Sequence, residues 1–264
     1  MDKETQKSRA GAFAALHRKG DPLKLFNVWD AASAGAVARA GAAAIATSSF
    51  AVALAHGTGD GENLALDKLV TAVSEIAPVV DLPLTADIET GYGRTPQEVA
   101  ASVARIVEAG AIGINLEDGL IGARGLVPVE EQSARIAAAR AAADKAGIPL
   151  FINARCDVFK GVPEAEQSDE HLAATLERAK AYAKAGATGL FAPWLVAPAL
   201  IERLCSETPL PVNILAGPKT PAVGELAALG VSRVSLGAWP AFDMLARLEA
   251  AAKDWFATGV AGAG

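Results

Sequence analysis

The sequence predicts an α/β fold of the (β/α)8 barrel type, formed as a single domain over residues 1–264. Two observations predict it: short apolar runs alternate with longer, alanine-rich amphipathic stretches, and the entries into these runs follow two alternating patterns. Eight such units in a chain of 264 residues most economically close into a barrel. An open doubly wound sheet is the alternative, but no GxGxxG motif follows the first run.

The eight apolar runs are the predicted strands. They cover residues 24–30, 42–49, 82–89, 112–118, 150–157, 189–194, 212–217 and 233–237. Every second run follows a glycine that can end a helix, because glycine accepts the left-handed conformation after the last helical turn. These glycines are Gly41, Gly110, Gly186 and Gly230. The third, fifth and seventh runs instead follow a proline between apolar residues. After the third run, Thr95 and Pro96 predict the cap and first residue of a helix.

Composition favours a protein that acts on small molecules. Apolar residues make up 52% of the chain, and the net charge is -6 without a long block of like charges, which argues against nucleic-acid partners. No apolar run reaches the roughly 18 residues of a membrane span, and no targeting segment is visible. The two cysteines, Cys156 and Cys205, are too far apart for a CxxC site. We therefore expect a cytoplasmic protein with no nucleic-acid or membrane partner.

Polar residues collect where the predicted strands end, which is where barrel enzymes place their chemistry. Because side chains alternate along a strand, Asp87 and Glu89 should project the same way, as should Asn115 and Glu117. Carboxylates converging from neighbouring strands repel one another unless a cation lies among them. Oxygen ligands favour Mg²⁺ or Mn²⁺ in that position. Gly91 and Gly93 would allow a tight turn beside these ligands.

Two structural alternatives apply to these polar residues. A single acidic residue at a strand end is more often a helix cap or an ion-pair partner than a metal ligand. Several acidic residues on consecutive strands, together with Arg155, make a purely structural role for all of them less favoured. A histidine-based zinc or copper site is not available, because His17, His56 and His171 all lie away from the strand ends.

The motifs TADIETGYG, NLEDG, INARCDVF, NVWDAASA and ATSSF together resemble the isocitrate lyase/phosphoenolpyruvate mutase superfamily. The similarity extends over nearly the whole chain and is strongest to the carboxyphosphonoenolpyruvate mutase-like and methylisocitrate lyase-like branch. It implies a (β/α)8 barrel that binds Mg²⁺ and a 2-oxo carboxylate and makes or breaks C–C or P–C bonds through an enolate. It also implies a homo-oligomer, dimer or tetramer, with a C-terminal helix exchanged between subunits.

The resemblance also assigns roles to individual residues. Asp87 would be the direct Mg²⁺ ligand, with Glu89 and Glu117 acting through bound water. It implies catalytic roles for Ser48, Asp60 and Arg155, and Tyr92 is a further candidate for the acid/base group beside Asp60. The residues that it implies in substrate binding are Trp29, Asp30, Ser48, Ser49, Phe50 and Arg155; Asn213, at the end of the seventh run, is a further candidate.

The chain departs from the family in the lid after the fourth strand. Isocitrate and methylisocitrate lyases carry a K-[KR]-C-G-H segment there, and the mutases carry Lys-Thr-Asn-Ser. This chain has EDGLIGARGLVPVEE, in which Arg124 is the one charged residue of the lid core. We therefore favour decarboxylation or C–C cleavage of an oxaloacetate-like acid. Two alternatives stay open: a P–C bond enzyme resembling phosphonopyruvate hydrolase or mutase, and a catalytically silent metabolite-binding barrel.

The last amphipathic segment has two possible roles. It carries Met244, Leu245, Leu248, Trp255 and Phe256, which could pack on the barrel wall or form a subunit interface. The GVAGAG tail after it is predicted to be mobile.

Overall fold

The computed structural model describes residues 1–260, so the end of the GVAGAG tail lies outside the described residues. Nine parallel strands within that range form one continuous sheet in the order β1-β9-β8-β7-β6-β5-β4-β3-β2. The strands are β1 Leu23–Leu25, β2 Asn27–Val28, β3 Ile45–Thr47, β4 Leu84–Asp87, β5 Gly113–Glu117, β6 Phe151–Arg155, β7 Gly189–Ala192, β8 Val212–Leu215 and β9 Arg233–Ser235. The predicted (β/α)8 barrel is confirmed.

The first barrel strand is divided into two short strands, whereas the sequence predicted one run over residues 24–30. β1 pairs with β9 and β2 pairs with β3, so the chain changes partner at Phe26. Asn27 holds the two sides together: its Nδ2 donates to the Thr47 carbonyl at 2.9 Å, and its Oδ1 accepts from the backbone N–H of Gly237 at 2.9 Å. This division closes the barrel.

The helices lie between the strands as the alternating pattern predicts. They are α1 Lys3–Ala15, α2 Ala31–Arg39, α3 Ser49–Ala55, α4 Leu66–Ile76, α5 Pro96–Glu108, α6 Val129–Ala146, α7 Asp169–Lys184, α8 Pro198–Glu207, α9 Val223–Ala228 and α10 Trp239–Thr258. The predicted start of α5 is confirmed, because Thr95 and Glu98 form a reciprocal capping box before Pro96. All four predicted helix-ending glycines have a positive φ, between 88° and 110°. None of the helices of residues 1–260 combines the length and apolar character that a membrane span requires.

The N-terminal end of the barrel is closed by α1. Phe13 is fully buried there and packs edge-on against Phe151, with ring centroids 5.3 Å apart. The ring of His17 stacks on the same phenylalanine at 4.0 Å. With this end filled by aromatic side chains, the opposite, C-terminal end is the open face of the barrel.

Most of α10 does not pack on the barrel wall of its own chain. Its buried residues within the described chain are Pro240 and Ala241. Large apolar side chains beyond them are exposed, including Met244, Leu245, Leu248, Trp255 and Phe256. An apolar cavity of about 700 Å³ lies between α2, α9 and β1, which is where the last helix of such a barrel would pack. Within one chain, the possibility that this segment packs on the barrel wall is therefore wrong for most of the length of α10.

Candidate active site

Asp87 lies at the C-terminal end of β4 and is buried. Its Oδ2 accepts long hydrogen bonds from Ser49, 3.2 Å from the hydroxyl and 3.4 Å from the backbone N–H, and its Oδ1 lies 3.4 Å from the N–H of Glu89. Burial raises the pKa of Asp87; the charge of Arg155 opposes this and that of Asp60 adds to it. A buried carboxylate with contacts this long has room for a stronger electrostatic partner.

Glu89 follows β4 in a left-handed backbone conformation, with φ of 51°. Its Oε2 accepts the backbone N–H groups of Gly61 and Glu62, both at 2.7 Å, and its Oε1 accepts from the Tyr92 hydroxyl at 3.3 Å. Burial and, next, the nearby charge of Asp60 raise the pKa of Glu89 to about 7. The loop that contains Asp60 is thus tied directly to a predicted metal ligand.

Glu62 is a residue of this site that the sequence analysis missed. Its Oε1 accepts from the Thr90 hydroxyl at 2.6 Å and from the backbone N–H of Tyr92 at 2.8 Å. Glu62, Glu89 and Tyr92 all have φ between 51° and 56°, a conformation that costs about 1–2 kcal/mol for residues other than glycine. The one signal in the sequence was an acidic residue in the glycine-containing stretch GDGEN.

Arg155, at the end of β6, is held by two carboxylates. Its Nη1 lies 2.6 Å from Glu117, and its Nε and Nη2 bind the two oxygens of Asp157 at 2.7 and 3.0 Å. Burial by itself lowers the pKa of Arg155, but the charges of Glu117 and Asp157 outweigh it and the net pKa is raised. The indole ring of Trp194 covers the guanidinium, with its centroid 5.1 Å from Cζ.

Asp157 is in turn fixed by a buried network behind the site. Its backbone N–H donates to Asp118 at 2.8 Å, and the other oxygen of Asp118 accepts from the Tyr182 hydroxyl at 2.6 Å and from Arg178 at 3.0 Å. Sequence reasoning placed Asp118 and Asp157 at strand ends but gave neither a role. Their role is to orient Arg155, and it depends on contacts between α7 and the strand ends that no local pattern displays.

Glu117 lies at the end of β5, directly beside Arg155 in the strand register. Burial raises the pKa of Glu117, with Arg155 opposing the shift and Asp157 and Asp87 adding to it. Within residues 1–260, no three His, Cys, Asp or Glu side chains form a ready-made ligand cage. One direct ligand with two water-mediated ones needs no such cage, and that assignment stays a prediction.

The donor set fits a hard divalent ion. Asp60, Asp87, Glu89 and Glu117 place four carboxylates in one region, and the charge of Asp60 raises the pKa of both Asp87 and Glu89. The cations that act on these groups are Arg155, Lys160 and Arg233, and their three positive charges do not balance the four carboxylates together with that of Asp157. Oxygen donors with weak protein hydrogen bonds, as at Asp87, are what Mg²⁺ binds in combination with water.

The predicted segment Ser48–Ser49–Phe50 follows β3 and forms the cap and first two residues of α3, with Ser49 next to Asp87. Ser48 caps α3, with its side chain 3.4 Å from the N–H of Ala51, and Ser49 contacts Asp87. Phe50 is partly exposed and packs edge-on against Phe242 of α10. Asn213 faces the barrel interior: its Oδ1 accepts from Ser235, while its Nδ2 is buried with no partner in residues 1–260. These positions agree with a substrate-binding role, which stays a prediction.

Two further predicted site residues have structural roles in this fold. Asp30 is exposed and caps α2, accepting the N–H of Ser33 at 2.7 Å, while the Ser33 hydroxyl accepts the N–H of Asp30 at 3.2 Å. Trp29 packs half-buried against the hydrophobic core. Asp30 thus caps α2, and the substrate-binding roles of Trp29 and Asp30 stay predictions.

The lid segment after β5 forms a short hairpin. Gly119 and Leu126 pair as an antiparallel bridge, and Arg124 is exposed near the turn. Cys156 faces away from the site, is fully buried and is a free thiol, as predicted, and its burial raises its pKa. It is therefore not a substitute for the missing lid cysteine.

Acidic residues and an arginine thus lie at the C-terminal mouth of a parallel (β/α)8 barrel, which is where enzymes of this fold class place their active sites. The profile of the phosphoenolpyruvate phosphomutase family matches residues 13–256. The 2-methylisocitrate lyase of Escherichia coli is 33% identical over 211 residues, covering 76% of this chain and 67% of that protein. The chain belongs to the phosphoenolpyruvate mutase family, within the isocitrate lyase/phosphoenolpyruvate mutase superfamily.

Solved structures agree with this assignment. A candidate phosphonomutase from Burkholderia cenocepacia J2315 has a TM-score of 0.92 and 47% identity, covering 94% of this chain and 99% of the other. A phosphonopyruvate hydrolase in complex with oxalate and Mg²⁺ has a TM-score of 0.80 at 24% identity, covering 95% and 88%, and shows the shared fold.

Proposed function

We propose that the protein is a Mg²⁺-dependent lyase, able to use Mn²⁺, that decarboxylates or otherwise cleaves a C–C bond of a small oxaloacetate-like 2-oxo carboxylate through an enolate. The observation that supports it is the convergence of Asp87, Glu89 and Glu117 beside Arg155 at the ends of β4, β5 and β6. The two free, buried cysteines support a reducing, cytoplasmic location.

The residues of the site divide the work of binding and charge stabilisation. Asp87 would hold Mg²⁺ directly, with Glu89 and Glu117 as water-mediated ligands. When bound, Mg²⁺ supplies Lewis-acid stabilisation of the negative charge that grows on the keto oxygen. Asp157 fixes Nε and Nη2 of Arg155, so Nη1 is the donor open to a substrate carboxylate once Glu117 serves the metal.

Proton transfer distinguishes decarboxylation from other cleavages. In decarboxylation the C3–C4 bond breaks, CO2 leaves, and the electron pair remains in the enolate, which then takes a proton at C3. That proton can come from water or from Asp60 or Tyr92. Burial, and next the charges of Glu89 and Glu62, raise the pKa of Tyr92, so its hydroxyl keeps its proton and is a weaker acid than an ordinary tyrosine. Cleavage to an aldehyde instead needs a base, and the family's lid cysteine is missing from residues 118–131.

Cleavage of a P–C bond is the second candidate. It is supported by the 47% identity to the candidate phosphonomutase, because relatives at that level often share a reaction type. The third candidate is a catalytically silent barrel that binds metal and small acids without turnover. The assay described below distinguishes it from the two enzymes.

We also infer a homo-oligomer, dimer or tetramer, in which α10 of one copy packs between α9 and α2 of another. The exposed apolar residues of α10 and the apolar cavity at that position support this arrangement.

A coupled assay of pyruvate release from oxaloacetate, with and without Mg²⁺, tests the proposed reaction. The wild type should release pyruvate above the spontaneous rate only with metal, and Asp87→Ala should lose that release. If pyruvate release is absent but Mg²⁺ with oxalate raises Tm, the chelating site stands and the decarboxylase is rejected. Phosphonopyruvate is then tested as the next substrate. If the protein leaves phosphonopyruvate unchanged as well, the silent barrel is supported.

A further inference from the structure

A second cavity opens on the C-terminal face of the barrel, next to Arg155. It lies between the ends of β7 and β8 and the first turn of α10, and its volume is about 530 Å³, within the usual range of ligand sites. Its walls are largely apolar. The apolar side chains that line it include Val162, Pro163, Trp194, Val196, Leu215 and Trp239. Apart from Trp194, which covers Arg155, these side chains take no part in the metal and carboxylate binding described above.

Trp194 is the wall that the cavity shares with the active site. Its indole ring lies over the Arg155 guanidinium at 5.1 Å and near the Lys160 ammonium at 5.6 Å. Both cations also contact Asp157, at 2.7 and 3.4 Å. A carboxylate bound to Arg155 would therefore lie beside the indole ring that forms one wall of this cavity.

The backbone turn that presents Trp194 is built at a cost. Trp194 has φ of 63°, a left-handed conformation that is unfavourable for a bulky residue. The side chain of Gln167 holds this turn: its Nε2 donates to the Trp194 carbonyl at 2.7 Å, and its Oε1 accepts the N–H groups of Val196 and Ala197 at 3.1 and 3.2 Å. A strained, partly exposed tryptophan held by a dedicated amide indicates a surface made for contact.

Aromatic side chains continue from this cavity to the substrate-binding segment. Trp239 lies on the far wall and packs edge-on against Phe242, which packs edge-on against Phe50 at 5.3 Å. The charged residues among those lining the cavity are Glu164 and Lys219, which have opposite signs. The lining therefore favours a neutral, apolar group over a second carboxylate.

We propose that this cavity binds the distal part of the substrate, and that this part is an uncharged apolar group, up to the size of an aromatic ring, on C3 of the 2-oxo carboxylate. The proposal rests on the proposed function, since the same ligand must chelate the metal through its head group. The cavity would select among 2-oxo carboxylates: an acid with an apolar group on C3 should bind more tightly than the acid without that group.

The test compares three probes by calorimetry in the presence of Mg²⁺: oxalate, pyruvate and phenylpyruvate. Oxalate reports the chelating site alone, and the two 2-oxo acids differ by one phenyl ring. Phenylpyruvate should bind the wild type at least tenfold more tightly than pyruvate, because burying a ring is strongly favourable. In Gly217→Leu, which adds bulk to the cavity wall, this ratio should fall to near one while oxalate binding is unchanged.

Gly217 suits this experiment because the fold can accept a side chain there. A Cβ at Gly217 would lie 3.6 Å from Trp239 Nε1 and 3.9 Å from Thr220 Oγ1, which are ordinary contact distances. Gly224→Leu is the matched control, since a Cβ there meets no described heavy atom within 4 Å, and it should keep the full ratio. Trp239→Ala removes the far wall instead, and should also reduce the ratio.

The outcomes separate the two proposals. If oxalate binds the wild type but pyruvate and phenylpyruvate bind equally well, the distal site is rejected and the proposed function stands. A ratio that survives in both Gly217→Leu and Trp239→Ala also rejects the site. If oxalate itself fails to bind with Mg²⁺, the chelating site is rejected, and both proposals fall with it.

Discussion

At the scale of single residues, the charged side chains of the site differ in how well hydrogen bonds and ion pairs satisfy them. Arg155 has all three donor nitrogens engaged by Glu117 and Asp157, whereas Asp87 has contacts of 3.2 Å or more at both carboxylate oxygens. The arginine is thus preorganised and the aspartate is left for a ligand. This difference, rather than the presence of acids alone, indicates which group the metal would take first.

His17 gives a prediction about pH. Burial, and next the charge of Arg233, lower the pKa of His17 to about 3, so the ring is neutral in the folded barrel. In the unfolded chain a histidine has a pKa of about 6.5, so protons bind the unfolded state preferentially and stability falls as pH drops below that value. Between pH 7 and pH 5 this one group should cost about 2 kcal/mol.

Chemical denaturation of wild type and His17→Gln at pH 7 and pH 5 measures this effect. The variant should lose about 2 kcal/mol less than the wild type over that interval. His56→Gln is the matched control, because its Nδ1 makes the same 2.9 Å contact to a carbonyl four residues earlier, but its ring is exposed. Equal pH dependence of all three proteins would show that His17 titrates normally in the folded state.

At the scale of elements, two loops on the C-terminal face act as one unit. Gly61 and Glu62 donate two backbone N–H groups to Glu89, and Glu62 accepts from Thr90 and from the backbone of Tyr92. These four bonds join the loop after α3 to the turn after β4. They hold Glu89 and the Asp60 backbone in place together, so Glu62 is a positioning residue.

We expect Glu62→Ala to weaken Mg²⁺ binding about tenfold, in line with the effect of losing an outer partner of a metal ligand. Glu62→Gln should stay near the wild type, because its amide oxygen can accept both hydrogen bonds. The measurement is calorimetric titration of Mg²⁺ in the presence of oxalate. If the two substitutions weaken binding equally, then the charge of Glu62 matters rather than its hydrogen bonds, and the positioning role is wrong.

The sequence predicted the elements better than their ends and their contacts. All eight runs contain strands, but the run over residues 42–49 holds only the strand Ile45–Thr47, since Ser48 and Ser49 already cap and begin α3. The division at Phe26 could not be predicted, because the change of partner is set by barrel closure and not by local pattern. Glu62 escaped notice for the same reason: its role exists only after two distant loops meet.

At the scale of the whole molecule, α10 leaves its own barrel incomplete. A barrel helix normally covers the gap between its neighbours, but here the gap between α9 and α2 is an apolar cavity while α10 exposes its apolar residues. An isolated chain would present both surfaces to water, which is unfavourable for each. Packing of α10 from another copy into this gap would cover both at once.

This arrangement predicts that the oligomer depends on the apolar face of α10. Leu248→Glu with Phe256→Glu should convert the wild-type dimer or tetramer into monomers in light scattering, and should lower Tm because the cavity by α2 and α9 loses its cover. Lys253→Glu is the control: it changes charge on the same helix at a site paired with Glu249, and should keep the oligomer. A monomeric wild type, or an oligomer unaffected by the double substitution, would show that α10 serves some other contact.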